Sequence, residues 1–120
     1  MRFDKPIKIE MSSVMATVDL SITSLISIID KYKVAAIAVH SVDYRFLNYQ
    51  SGVISQCGDG PVDHAVTLVG YVIDHKEGVY VWIVKNSWGR KWGMGGYTYI
   101  SMENNACKVL TYASYLKTNY

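Results

Sequence analysis

With 120 residues, half of them hydrophobic, and a formal charge of only +2, the chain has the make-up of one globular domain with a modest core. Its basic residues are scattered, and the densest pair, Arg90-Lys91, reads as a solvated turn that gives no footing for nucleic acid. No apolar run approaches the roughly 18 residues of a membrane span, and the opening Met1-Arg2-Phe3-Asp4-Lys5-Pro6 has no signal-peptide core.

Residues 6–11 alternate, with Ile7, Ile9 and Met11 on one side and Lys8 and Glu10 on the other, which predicts an edge strand. Asp19 or Ser21 can cap a helix, and Ile22, Leu25, Ile26, Ile29 and Tyr32 then follow at helical spacing. Residues 34–39 are a short, wholly apolar run of strand length. Ser51-Gly52 and Cys57-Gly58-Asp59-Gly60-Pro61 are turn chemistry. Residues 65–73, 79–85 and 96–102 read as three more strands, the first two joined as a hairpin by Asp74-His75-Lys76-Glu77-Gly78. Residues 108–115 read as a last strand. One helix and five or six mostly antiparallel strands make an α+β domain on a curled sheet or half-barrel. A sheet this apolar on both faces needs cover, from the helix and from another domain.

Cys57 and Cys107 have no neighbours at metal-ligand spacing, so a zinc site is not expected. They are two buried thiols or one disulfide. A bridge closing about 50 residues would remove roughly 4 kcal/mol of unfolded-state entropy. It would also imply an oxidising compartment. The chain carries no address for one, so the expectation is that something N-terminal to it is missing.

Two stretches carry chemistry: Val62-Asp63-His64-Ala65-Val66, and Lys85-Asn86-Ser87-Trp88-Gly89 running on to Trp92-Gly93-Met94-Gly95-Gly96-Tyr97. Singly, each residue has an ordinary structural role. Pairing the hairpin strands, however, places His64 beside Asn86. An amide oxygen that accepts one imidazole N–H fixes the tautomer and leaves the other nitrogen for a nucleophile. Trp88 can shield that bond from water, where it is stronger.

Val-Asp-His-Ala-Val, Val-Gly-Tyr, Trp-Ile-Val-Lys-Asn-Ser-Trp-Gly and Trp-Gly-x-x-Gly-Tyr closely resemble the papain-like cysteine peptidases, the cathepsin L and papain family. The resemblance runs from about residue 20 to 116. It includes Phe46-Leu47-Asn48-Tyr49-Gln50-Ser51-Gly52-Val53 and Ala113-Ser114-Tyr115. It implies a two-domain fold with the active site in the cleft, of which residues 1–120 are the second domain alone. It further implies that His64 is the catalytic histidine, Asn86 its orienting partner and Trp88 the shield. Trp92 would line the leaving-group side of the cleft, and Val62, Ala65 and Tyr112 the pocket for the substrate's second residue from the cut. Cys57 and Cys107 match the domain's own disulfide.

The family's Gln-x(5)-Cys-Gly-x-Cys-Trp block, with its nucleophile and oxyanion glutamine, has no counterpart here. Tyr32-Lys33 stands for the usual Gly-Pro, Lys108 for Gly and Leu116 for Pro. The expected function is cysteine-type endopeptidase, with this chain supplying the His/Asn half of the site and inactive alone. The alternative is a truncated, inactive paralogue that at most binds a peptide or partner; a third arrangement has a separate chain supplying the first domain. Expected partners are a peptide or protein substrate and the missing N-terminal catalytic domain, with no nucleic acid, membrane, metal or cofactor. The family points to a lysosomal or extracellular setting.

Overall fold

The computed structural model describes residues 9–10, 20–115 and 117–118. Ile9–Glu10 (β1) pairs antiparallel with Lys117–Thr118 (β8); the rest of the expected strand at 6–11 lies outside the described residues, as does Asp19.

Helix α1 (Ile22–Tyr32) starts at Ser21, not at Asp19. The Ser21 hydroxyl accepts the Ser24 N–H, and the Ser24 hydroxyl takes the Ser21 N–H in return, which satisfies two of the orphan donors at the helix start. Leu25 and Ile29 are its buried face. The helix stops at Lys33, whose backbone turns left-handed (φ 76°) while its N–H closes on Ile29 O at 2.9 Å.

Six strands form one curled sheet in the order β3-β6-β5-β4-β2-β7, from β2 (Ala35–Val39), β3 (Val53–Ile54), β4 (His64–Asp74), β5 (Val79–Lys85), β6 (Tyr97–Ser101) and β7 (Ala113–Ser114). All neighbours are antiparallel except β3 and β6. The β4–β5 hairpin turns where Asp74 expected it: its carboxylate accepts the Lys76 and Glu77 N–H groups. Register shifts between Leu68 and Gly70, a bulge that increases the local twist. Ile37, Leu68, Trp82, Val84 and Ile100 are buried with Leu25 of α1 in the core.

Three features differ from the sequence expectation. A short helix α2 (Tyr44–Leu47), capped by the Asp43 carboxylate on Arg45 N–H, is too brief to show a period. The two-residue β3 is equally invisible. The expected strand at 108–115 shrinks to β7, because residues 103–108 are tight turns with positive φ at Asn104, Asn105, Cys107 and Lys108. A left-handed backbone cannot continue a strand. Cys57 and Cys107 are bridged, and the His40 N–H holds Cys107 O at 2.9 Å, so this turn is tied to the end of β2. Among the described residues no helix is long and apolar enough to cross a membrane.

Candidate active site

His64 opens β4, opposite Val39 of β2. Asn86 follows the last residue of β5, held there by its N–H on Gly96 O at 2.9 Å. The hairpin thus brings the two side chains together, with His64 Nε2 2.8 Å from Asn86 Oδ1. The amide orientation is settled by its other neighbour. Ser87 N–H lies 2.8 Å from the same atom, and a backbone N–H can only donate, so that atom is the oxygen. His64 Nε2 must then carry the proton, and Nδ1 is left with its lone pair. Asn86 is 5% exposed, and its Nδ2 is buried without a hydrogen-bond partner among the described residues.

Trp88 stacks on the His64 ring, centroids 4.9 Å apart and planes 22° from parallel. Phe46, on α2, meets both rings edge-on, at 6.4 Å from His64 and 5.4 Å from Trp88. Trp92 is buried beneath Trp88 at 5.6 Å, and its Nε1–H donates to Phe46 O at 3.0 Å. Trp92 is therefore a base for the aromatic stack. The loop that presents both indoles needs Gly93, at φ 59°, because a Cβ there would come within 2.6 Å of Tyr97 O and 2.9 Å of the Tyr49 ring. Phe46 is a site residue that the sequence placed in an aromatic-rich segment but gave no role.

Of the expected pocket residues, Ala65 is exposed and lines a hollow of about 320 Å³ together with Ala36, Thr67, Lys85 and Ser87. Val62 and Tyr112 are half-buried and do not line it. Tyr112 adjoins the β2–β7 register instead. Ser114 faces Ala36 and Ala113 faces Ile37; Tyr112 is the residue just before this pairing, and Ala38, just after Ile37, pairs with Ala65.

Asp63 points away from this hydrogen bond. Its carboxylate accepts the Ser41 N–H at 2.9 Å, the Ser41 hydroxyl at 2.7 Å and the Val42 N–H at 3.3 Å. Burial pushes its pKa up, the Ser41 and Val42 bonds and the nearby His40 pull it down, and the net is a carboxyl below its ordinary range.

The model of the family described as "Papain family cysteine protease" matches residues 4–117. Cysteine proteinase 3 of Solanum lycopersicum is 44% identical over 93 residues, 71% of this chain and 26% of that protein. A cathepsin L-like protein of Caenorhabditis elegans is 46% identical over 83 residues, 67% of this chain and 24% of its own length. The bromelain protease of Ananas comosus, solved with an inhibitor, superposes with a TM-score of 0.76 at 30% identity, over 88% of this chain and 50% of that one. The chain thus spans about a quarter of the length of the curated relatives it matches.

Proposed function

The chain belongs to the papain family of cysteine proteases, and on that premise we propose that it supplies the histidine and asparagine half of a cysteine endopeptidase site, completed by a domain that carries the thiol. The observation that carries this is the His64–Asn86 bond with its assigned protons: Nε2 is occupied and Nδ1 is free to take a proton. In the completed site, Nδ1 takes the proton of an incoming cysteine thiol and the ring becomes imidazolium. The thiolate adds to the carbonyl carbon of a peptide bond. Nδ1–H then protonates the leaving amine as the C–N bond breaks, and water later releases the acyl group. Asn86 keeps the ring in register throughout.

The thiol must come from outside these residues, because both cysteines of the chain are joined to each other. The bridge favours a lysosomal or extracellular setting. The test is to supply the cysteine-bearing domain of a relative, fused or in trans, and to assay peptide hydrolysis. Activity lost on His64→Ala supports the reading. A folded complex without activity supports the second one, a peptide- or partner-binding module, which the consumed thiols favour.

A further inference from the structure

His40 stands behind the segment that leads into His64, and neither the His–Asn pair nor the aromatic stack uses it. It follows β2 and is 9% exposed. Its Nδ1 lies 2.7 Å from Pro61 O and 3.3 Å from Asp63 Oδ2. A carbonyl oxygen only accepts, so Nδ1 carries a hydrogen in the neutral ring as in the charged one. The ring also packs against Gly60, where a Cβ would come within 2.3 Å of Cε1. Gly60 is needed for that ring, since its own φ is ordinary. On the same side, Asp63 N–H donates to Val39 O at 2.9 Å, and the Asp63 carboxylate holds Ser41 and Val42. Residues 60–63 are thus tied to the end of β2 through Pro61 O, the Asp63 N–H and the Asp63 carboxylate, and His64 is the next residue. The other charged groups nearby, Asp43 and Arg45, are bonded to each other.

We propose that His40 is a positioning residue for His64: its Nδ1–H, shared between Pro61 O and Asp63 Oδ2, fixes the direction in which the chain delivers His64 to Asn86. This rests on the reading of His64 as the catalytic base, but its test does not need catalysis. The 120-residue chain, with its histidines labelled with nitrogen-15, gives the His64 ring nitrogen resonances and the exchange rate of its Nε2 proton by NMR. Three variants separate ring from donor. In His40→Asn the amide nitrogen sits where Nδ1 was, in His40→Gln it lies one methylene further out, and His40→Phe keeps a ring without a donor.

His40→Asn should leave the His64 ring nitrogen resonances and the exchange of the Nε2 proton as in the parent, while His40→Gln and His40→Phe should shift those resonances and speed exchange of the Nε2 proton. If all three leave His64 unchanged, or if His40→Asn disturbs it as much as His40→Phe, the proposal is overturned. Should His40→Phe fail to fold by circular dichroism, the contrast between the Asn and Gln variants decides. Failure of the reconstituted peptidase, with these spectra as expected, would count against the catalytic reading and leave the positioning intact.

Discussion

The indole of Trp88 lies against the imidazole of His64 on the outer side of the Asn86 bond, itself 40% exposed while Asn86 is only 5% exposed. The tryptophan spends its own solvent exposure to keep the amide dry. A hydrogen bond in a drier, less polarisable setting is stronger. Asn86→Ala should therefore cost about 1–3 kcal/mol at the site, the loss expected for a buried bond, or about five- to 150-fold in kcat/KM of the reconstituted enzyme. Trp88→Ala leaves the acceptor in place, so its loss should be smaller, about fivefold, the equivalent of 1 kcal/mol. Both should speed exchange of the His64 Nε2 proton, measured by NMR. Equal losses would mean that Trp88 acts on something other than this bond.

The bridge between Cys57 and Cys107 closes the loop that contains the whole β4–β5 hairpin and β6. Removing it by Cys57→Ser with Cys107→Ser should cost about 2–5 kcal/mol, read as a lower urea midpoint with a larger m-value, because the uncrosslinked denatured chain exposes more surface. A non-reduced digest should contain the two cysteine peptides joined. Because His40 N–H is anchored on Cys107 O, the reduced protein should also show a shifted His64 resonance.

Much of this architecture could be read in the chain. The hairpin was legible because period-two apolar runs flank a turn with Asp and Gly in the right places, and the His64–Asn86 neighbourhood follows from that pairing alone. The bulge at Val69 was not legible, since one unpaired residue leaves the alternation looking intact. Phe46 and His40 were missed for a different reason: each acts through a contact set by tertiary packing, and neither has a local spacing that betrays it. Residues 103–108 carried a signal that was available, two successive asparagines, which tolerate the left-handed region better than most; the absence of glycine masked it.

Lys108 holds φ at 63° and Lys33 at 76°, a conformation that costs a residue with a Cβ about 1–2 kcal/mol. Lys108 also stands where the resembling family has glycine. Lys108→Gly should raise stability by about 0.5–1 kcal/mol, the strain relief less the added freedom of glycine in the unfolded chain. Lys33→Gly should do the same at the end of α1. Thermal denaturation of both variants checks this; a destabilised Lys108→Gly would show that the lysine side chain contributes packing worth more than the strain.

The carboxyl of Asp63 is held below its ordinary value of 3.8. A depressed folded-state pKa contributes stability that is present above the unfolded value and is lost as pH falls through the folded one. Asp63→Ala should thus lower the Tm at pH 7 by a few degrees, about what 0.5–1 kcal/mol gives a domain of this size once solvent screening is allowed for. The gap between variant and parent should close below pH of about 3.8, as protonation does to the parent what the substitution did to the variant. A gap that stays constant down to low pH would assign the effect to packing and not to charge.

Tyr112 offers the last test, on specificity in the reconstituted enzyme. The β2–β7 pairing ends at Ile37 and Ala113, and Ala38, the residue after Ile37, pairs with Ala65 of β4. Tyr112 is the residue before Ala113, one position beyond the last pair, on the side of the sheet end where these two alanines lie, with strands spaced by about 4.8 Å. A phenol there fills volume that a substrate phenylalanine or leucine would occupy. The enzyme should therefore prefer small or medium aliphatic residues at the second position from the cut. Tyr112→Ala should shift that preference towards aromatic residues by about 1–3 kcal/mol, the usual range for pocket-size discrimination. A peptide-library profile with and without the substitution measures it. Since Ala65 opens on the hollow shared with Thr67 and Lys85, an unchanged profile would place the selective pocket on that side of Ala65 and remove Tyr112 from it.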